Sequence, residues 1–483
     1  MQNRYCVPKL NNMAKLLLVQ NLWMEQLGVM SLGAVARAKG HDVALALGSD
    51  ERILRIARDF QPDIVGFSVL TGFQNRWLRL ARAIKKAIQP APIMIFGGPH
   101  PTFFPQIILE DGVDVVCRGE GEGPIGDLLS AFDAGNRSFE GIPNLAVKNP
   151  AGMKAEPLRP LANLDELPFP DREISYAYPF IRKDPNTHFI AGRGCPYSCS
   201  FCFNRRMREL CRDLGPPYRL RSVGNLLEEI GEVKRHWGIK VVYFQDDTFV
   251  LDRNWLFDFL DSYARKFRLP FYCTVRADLV TEEMAKALKD AGCYRVSFGV
   301  ESGVESIRRE LLQKDISDER IRNAAALLRK AGIPFQTTNM MGLPGETLAD
   351  AIRTLELNIE IGAEIAWTSL YQPYPGTLLG ERALAEGRID RLPDDERIAD
   401  AHTASMLRQP EIREIERLQK LAYLAVKFPK TLPLILNLVK KDHPVMYYYL
   451  HRFTYLLFYF RRLTKMSLSR AASEAWVAWR HYR

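Results

Sequence analysis

Cysteine is scarce in this sequence, with eight among 483 residues. A small secreted domain held together by disulfides would be shorter and richer in cysteine. The amino terminus also lacks the basic, apolar and small-residue pattern of a signal peptide. We therefore expect a protein of the reducing cytosol. A chain of this length is expected to form two or three domains rather than one core.

Acidic residues are nearly absent from the last part of the chain. From Lys427 to Arg483 the acidic side chains are Asp442 and Glu474, and they face many lysines and arginines. The formal net charge of +9 therefore resides mainly in this tail. Basic tails of this kind are typical of proteins that contact anionic surfaces.

The tail also lacks an uninterrupted apolar run of membrane-spanning length. Residues 443–463 are long enough, but His451 and Arg452 interrupt their centre, which disfavours a transmembrane helix. Tyrosines flanked by basic residues suit the headgroup region instead. We predict that residues 378–483 form a basic helical region that contacts a membrane peripherally, placing the protein in the cytoplasm or at the inner membrane face. A helical cap over the preceding domain and RNA binding are the alternatives, and no nucleic-acid module accompanies the charge.

Short apolar strands alternate with helical stretches in residues 14–148. This order predicts a parallel sheet with helices on both faces, a Rossmann-like domain. Ligands bind such sheets at the carboxyl ends of the strands, where Ser68, Gly97 and Gly98 lie. The predicted strands are residues 15–20, 41–47, 63–68, 93–96 and 113–117, and the clearest helices are residues 28–39 and 77–88.

Residues 149–184 are rich in proline and are predicted to be an extended linker. The alternation of strands and helices then resumes over residues 185–377. About six such units favour a partial (β/α)6 barrel of the TIM type over an open sheet. The predicted strands are residues 188–192, 241–245, 271–275, 295–300, 335–341 and 365–371.

Three cysteines, Cys195, Cys199 and Cys202, lie in one short loop after the first of these strands. Thiolates are the soft ligands that iron–sulfur clusters and zinc prefer. A closed structural zinc site needs four ligands, whereas this group stops at three, so that one iron of a cluster would stay open. A zinc knuckle is the alternative. Cys211, Cys273 and Cys293 are predicted to be buried structural thiols.

The spacing Cys-x3-Cys-x2-Cys, with Phe201 before the last cysteine, resembles the radical S-adenosylmethionine (SAM) superfamily. Further motifs of that superfamily occur in order, at residues 218–222, 244–249, 297–303, 341–347 and 373–377. The resemblance implies that the three cysteines hold a 4Fe–4S cluster beside Phe201. The fourth iron would bind SAM, which is cleaved by one electron from a donor such as flavodoxin or ferredoxin to a 5′-deoxyadenosyl radical.

The same resemblance suggests further SAM-binding residues. Glu301 would contact SAM, or else form a salt bridge with a barrel arginine. Gly342 and Pro344 belong to a loop that would pass close to SAM, or would form only a tight turn. Asp246 and Asp247 could act directly in the site, with Arg276 as their counter-ion.

The first domain resembles the cobalamin-binding domain that precedes some radical SAM barrels. The resemblance rests on residues 68–71, 97–102 and 118–122, and it implies that Ser68, Gly97, Gly98, Gly119 and Glu120 line a cobalamin site. A Rossmann-like domain for another nucleotide is the alternative. The Asp-x-His-x-x-Gly motif that supplies a cobalt ligand in many such domains is missing. Glu25 stands at the histidine position and Trp23 at the aspartate.

The combined resemblance implies a cobalamin-dependent radical SAM enzyme that methylates an unactivated carbon of a small molecule. The basic aromatic tail favours a hydrophobic or lipid-like biosynthetic intermediate as substrate. An oxidative cyclase acting on a tetrapyrrole-like ring without methylation is the second hypothesis. A cobalamin or iron–sulfur sensor without turnover is the third.

Overall fold

The computed structural model describes residues 13–393, 398 and 404–454. These residues divide into two compact units. The first contains the described residues up to 184 together with 211–216, and the second contains 185–210 and the described residues from 217 onward.

The first unit is built on a seven-stranded sheet with the order β2-β1-β3-β4-β5-β6-β7. Neighbouring strands among the first five pair in parallel, whereas β5, β6 and β7 pair with one another antiparallel. The strands are β1 (Lys15–Val19), β2 (Asp42–Ala46), β3 (Ile64–Ser68), β4 (Ile93–Gly97), β5 (Val115–Cys117), β6 (Leu145–Asn149) and β7 (Gly152–Ala155).

Helices connect the parallel strands of this unit. They pack on the sheet through apolar side chains such as Trp77, Ile53 and Met30, each fully buried. The helices are α1 (Leu27–Ala38), α2 (Asp50–Phe60), α3 (Gln74–Ala87), α4 (Pro99–Phe103), α5 (Glu122–Asp133), α6 (Arg172–Tyr176) and α7 (Pro179–Arg182).

Residues 149–184, predicted to be an extended linker, carry regular structure in part. They include β7, α6 and α7, and they group with the first unit. The strand β7 pairs antiparallel with β6, from Asn149 with Gly152 to Ala146 with Ala155, across a turn at Pro150 and Ala151. The proline content of the segment hid this short edge hairpin.

The second unit contains a six-stranded parallel sheet with the order β15-β14-β13-β12-β11-β8. A separate antiparallel pair joins β9 to β10. The strands are β8 (Asn186–Phe189), β9 (Gly192–Arg193), β10 (Arg219–Leu220), β11 (Val241–Phe244), β12 (Phe271–Thr274), β13 (Cys293–Glu301), β14 (Phe335–Met341) and β15 (Ile365–Leu370).

The helices of the second unit follow the strands and cover an apolar core that includes Phe244, Phe271 and Phe335. The predicted α/β fold class, with a Rossmann-like first unit and a parallel sheet in the second, is confirmed. The helices are α8 (Phe203–Leu210), α9 (Val223–Trp237), α10 (Arg253–Lys266), α11 (Glu282–Asp290), α12 (Asp318–Lys330), α13 (Leu348–Glu360), α14 (Leu378–Ala385), α15 (Ile412–Lys427), α16 (Leu432–Leu438) and α17 (Pro444–Thr454).

The C-terminal region is helical where it is described, and no strand follows β15 in those residues. Its core joins α15, α16 and α17 through Leu418, Ile435 and Tyr447. The predicted helix over residues 443–463 is described only as far as Thr454, and its remainder lies outside the described residues. Within the described ranges, no helix is both long and apolar enough to cross a membrane.

Candidate functional site

The three-cysteine loop begins where the chain leaves the large sheet of the second unit. The strand predicted over residues 188–192 ends at Phe189, and Gly192 starts the short pair of β9 with β10. Gly194 has φ +89°, and a Cβ there would lie 2.1 Å from the Pro217 carbonyl oxygen. Gly194 is therefore required by a positive φ and by close approach to the neighbouring backbone.

Asp246, which follows β11, fixes the entry to this loop. Its buried carboxylate accepts hydrogen bonds from the backbone N–H of Ala191 (3.0 Å) and Gly192 (2.7 Å). These bonds hold the chain at the end of β8 and explain why that strand stops early. Burial raises the pKa of Asp246 to about 7. This contact gives Asp246 a positioning role at the start of the cysteine loop.

Cys195, Cys199 and Cys202 are partly exposed free thiols. Burial raises the pKa of Cys195, and it raises the pKa of Cys202 to about 11, with the nearby Asp247 carboxylate adding to both effects. The charge of Cys199 also raises the pKa of Cys195, and the charges of Cys199 and Cys195 raise the pKa of Cys202, as expected of neighbouring thiols. Burial therefore favours the protonated form of Cys195 and Cys202.

Asn204 links Cys202 to Asp247. Its backbone N–H donates to Cys202 Sγ at 3.4 Å, and its side-chain amide donates to Asp247 at 2.9 Å. An N–H directed at a cysteine sulfur stabilises the thiolate and tunes the potential of an iron–sulfur centre. Arg208 of α8 further ties the loop through Pro196 and Ser198.

Arg276 is not the counter-ion of Asp246 and Asp247 that the sequence suggested. Its guanidinium pairs with Asp278 at 2.8 Å and lies over the Tyr197 ring, 3.6 Å from the ring centroid. Because Tyr197 stands between the first two cysteines, this cation–π contact holds the cysteine loop against the end of β12.

Glu301 forms a salt bridge, with a lysine rather than with the arginine considered from the sequence. Lys314 Nζ lies 2.8 Å from its carboxylate and also donates to the Gly299 carbonyl at 2.8 Å. Glu301 itself has φ +66°, at a register shift in the pairing of β13 with β14. A non-glycine residue in this region is strained, and such strain is often found near functional sites.

The carboxylate of Glu346 binds the backbone of the loop after β14. It accepts from the backbone N–H of Gly342 and, at 3.0 Å, from that of Leu343. Gly342 and Gly345 both have positive φ, so a tight turn is present in this loop. Burial raises the pKa of Glu346 from 4.5 to about 8.

Gln409, from the segment before α15, forms hydrogen bonds with the same loop. Its amide accepts from Gly345 N–H at 3.0 Å and donates to the carbonyls of Leu343 and Glu346 at 3.0 and 3.4 Å. The neighbouring Glu411 accepts from Leu348 N–H, at the start of α13. Residues of the C-terminal region therefore fix the position of the predicted SAM loop.

Two of the predicted SAM-site loops meet in one apolar cluster. Phe201 packs against a cluster of buried residues that includes Leu312, Leu343 and Tyr371. Ser200 adds hydrogen bonds from its amide N–H and its hydroxyl to the carbonyls of Leu312 and Leu311. The structure thus brings the cysteine loop and the Gly342–Gly345 turn to the same edge of the sheet, where strands of such barrels place their active sites.

In the first unit, the loops after β3, β4 and β5 are joined at the carboxyl edge of the sheet. The hydroxyl of Thr102 donates to the Gly98 carbonyl at 2.8 Å and accepts from Gly119 N–H at 2.9 Å. Gly98 has φ +98°, and a Cβ there would lie 3.1 Å from Val69 N. Ser68 ends β3 beside Gly97 of β4. Gly98 is therefore required by its positive φ and by its close approach to the Val69 backbone.

Glu25 stands at the position of the missing cobalt-ligating histidine, but its carboxylate forms an ion pair. It is buried and pairs with Arg172 at 2.6 Å. Glu120 accepts a hydrogen bond from Ala162 N–H at 3.3 Å, so it also contacts the segment before α6. His100 lies 3.4 Å from the Thr71 hydroxyl, and burial lowers its pKa to about 4, which keeps its imidazole neutral.

Comparison with known proteins accords with this geometry. The chain matches the Radical SAM superfamily over residues 189–357 and the B12 binding domain over residues 17–129. An uncharacterized methyltransferase from Pyrococcus horikoshii is 31% identical over 373 residues, which cover 75% of this chain and 79% of that protein. This chain belongs to the cobalamin-dependent radical SAM enzymes.

Two further proteins are similar to this chain. The anaerobic magnesium-protoporphyrin IX monomethyl ester cyclase of Rubrivivax gelatinosus is 26% identical over 343 residues, covering 68% of this chain and 59% of the cyclase. The radical SAM methyltransferase TsrM from Kitasatospora setae shares the fold, with a TM-score of 0.67 and 18% identity, over 86% of this chain and 90% of TsrM.

The cofactors of this radical SAM enzyme are a 4Fe–4S cluster, SAM and cobalamin. Its residues fit them. Within the described residues no three His, Cys, Asp or Glu side chains converge as the ligands of a single metal ion do. A cubane cluster does not require this, because each thiolate binds a different iron. The small residues Ser68, Gly97 and Gly98 lie at the carboxyl ends of β3 and β4, where sheets of this kind bind ligands.

Sequence reasoning missed several residues that shape these sites. Asn204 could have been found from its position two residues after Cys202, and Thr102 from its place in the predicted cobalamin motif. Lys314 and Gln409 carried no local signal, because they reach their partners only through the tertiary fold.

Proposed function

We propose that this enzyme methylates an unactivated carbon, with Cys195, Cys199 and Cys202 each binding one iron of the cluster. When bound, the cluster and SAM supply a 5′-deoxyadenosyl radical that abstracts hydrogen, and cobalamin supplies the methyl group. The observation that carries the proposal is the presence of a three-thiol loop and a cobalamin-binding domain in one chain, together with a methyltransferase relative.

The residues of the chain position these groups. Asp246 fixes the entry to the cysteine loop, Arg276 contacts Tyr197 within it, and Asn204 directs an N–H at Cys202. We infer that Gly342, Pro344 and Glu301 contact SAM, with Glu346 and Gln409 holding the loop in place. Ser68, Gly97, Gly98, Gly119 and Glu120 would line the cobalamin site.

We further propose a hydrophobic or lipid-like biosynthetic intermediate as the substrate. The support is the concentration of exposed apolar side chains in the C-terminal helices of the described chain. A one-electron donor such as flavodoxin or ferredoxin would reduce the cluster. None of the residues proposed for the cofactor sites belongs to those helices.

The test is anaerobic turnover of the holoenzyme with SAM, a reductant and candidate substrates, followed by mass spectrometry. Methylation predicts one S-adenosylhomocysteine and one 5′-deoxyadenosine for each product, whose mass rises by one CH2. S-Adenosylhomocysteine should be absent when cobalamin is omitted. Turnover without S-adenosylhomocysteine would contradict methyl transfer.

The cyclase among the relatives favours a second candidate function, oxidative ring formation. Product mass separates the two reactions, since ring closure removes hydrogen or adds oxygen and leaves the carbon count unchanged. A sensor without turnover, the third hypothesis, would yield no 5′-deoxyadenosine at all.

A further inference from the structure

Exposed apolar side chains are concentrated in one segment of the second unit. Ten large hydrophobic side chains are exposed in the described residues, and six of them lie between residues 428 and 449. We call this region, built on α16 and α17, the α16–α17 surface. Its exposed apolar members are Phe428 (44%), Leu434 (70%), Val445 (68%), Met446 (37%), Tyr448 (48%) and Tyr449 (66%).

These side chains are not needed by the core of the unit. Both helices already bury another face, through Ile435 and Val439 of the first helical stretch and Tyr447 of the second. The Tyr447 hydroxyl donates to the carbonyls of Leu438 (2.6 Å) and Lys441 (3.1 Å), which joins α17 to the end of α16. Leu434 of α16 and the exposed apolar side chains of α17 therefore take no part in this core.

Positive charge surrounds this apolar surface. Lys430, Lys440 and Lys441 are exposed, and Arg452 lies over the Tyr448 ring at 4.8 Å. The acidic residue of this stretch, Asp442, is neutralised by Arg417 at 2.9 Å. The surface thus combines exposed aliphatic and tyrosine side chains with exposed lysines.

We propose that the α16–α17 surface docks the enzyme on an anionic lipid bilayer. Leucine, valine and tyrosine side chains would enter the boundary between headgroups and acyl chains, and the lysines would pair with lipid phosphates. This geometry holds the enzyme at the membrane without a spanning helix. The inference goes beyond the proposed reaction, because it involves none of the residues placed at the cofactor sites.

The test is co-sedimentation of the full-length holoenzyme with vesicles of phosphatidylcholine and phosphatidylglycerol, and with vesicles of phosphatidylcholine alone. We expect binding to the mixed vesicles that weakens with added salt, and little binding to the neutral ones. Leu434→Gln combined with Tyr449→Ser should weaken that binding about tenfold or more. Lys440→Glu combined with Lys441→Glu should weaken it by a similar factor.

Leu109→Gln is the matched control, because Leu109 is 56% exposed but lies in the first unit. It should bind the mixed vesicles as the unchanged enzyme does. No binding to mixed vesicles, or full binding by the Leu434/Tyr449 variant, overturns the proposal. A concentration-dependent dimer that becomes monomeric in that variant would assign the surface to a second copy instead. SAM cleavage measured without vesicles tests the proposed reaction separately.

Discussion

Glu346 is a buried carboxyl group that the fold keeps protonated at neutral pH. Only 3% of it is exposed, and its carboxylate accepts two backbone N–H groups at the turn after β14. Burial raises its pKa from 4.5 to about 8, so the folded chain retains a proton that the unfolded chain releases above pH 4.5. Folding stability should therefore fall as the pH rises through this window.

We predict that Glu346→Gln flattens this pH dependence. In the unchanged enzyme the group should remove about 1.4 kcal/mol of unfolding free energy per pH unit between its unfolded and folded pKa values. The glutamine cannot ionise, so its variant should lose less stability between mildly acidic and mildly basic buffers. Urea unfolding of the holoenzyme at both pH values measures the difference. The exposed Glu356→Gln variant is the control, and equal slopes in all three proteins would contradict the assignment.

Asp246 is a second single residue whose loss should have a measurable effect, because it holds the start of the cysteine loop. Replacing it with alanine leaves the N–H groups of Ala191 and Gly192 without their acceptor in a buried place. We predict that Asp246→Ala retains several-fold less iron after anaerobic reconstitution, and that Asp246→Asn retains an intermediate amount. Iron content and cluster absorbance provide the measurement. Unchanged iron content, relative to an exposed Asp258→Ala control, would show that the loop does not depend on Asp246.

At the scale of elements, the segment before α15 determines the position of the loop after β14. Gln409 makes three hydrogen bonds to that loop. We predict that Gln409→Ala raises the KM for SAM about tenfold, with a smaller change in kcat, since a displaced loop weakens binding before it alters the chemistry. The neighbouring Arg408→Ala, at an exposed position, should leave both constants unchanged. An unaltered KM in the Gln409→Ala variant would show that this loop does not contribute to SAM binding.

Thr102 joins two loops in the first unit. Thr102→Val keeps the shape of the side chain but removes the hydroxyl that bonds Gly98 and Gly119. We predict about tenfold weaker cobalamin binding, with restoration in Thr102→Ser. Absorbance titration of the anaerobic protein measures the affinity, and iron content serves as the control. Equal affinity in the valine variant would place cobalamin elsewhere.

The sequence predicted what depends on local pattern. Apolar strands alternating with helices predicted the parallel strands β1 to β5 and the parallel sheet of the second unit, and the spacing of Cys195, Cys199 and Cys202 predicted the radical SAM family; both are confirmed. The antiparallel strand β6 was not predicted. The edge strand β7 was missed, because prolines around it obscured a short hairpin. Contacts set by tertiary packing were also out of reach, such as Lys314 with Glu301 and Arg276 with Asp278.

At the scale of the whole molecule, the two cofactor-binding functions reside in separate compact units. The B12-binding match falls in the first unit and the radical SAM match falls mainly in the second. A substitution in one unit should therefore affect only the cofactor that this unit binds. Loss of a cluster cysteine should leave cobalamin binding intact, and loss of Thr102 should leave iron content intact.

The most direct test of the central claim is anaerobic formation of 5′-deoxyadenosine from SAM by the reduced holoenzyme and its cysteine variants. The unchanged enzyme and the Cys211→Ala control, which alters a buried thiol outside the three-cysteine motif, should both form it. Cys195→Ala, Cys199→Ala and Cys202→Ala should each form none. Cleavage that survives in any of these three variants would contradict the assignment of the cluster to this loop.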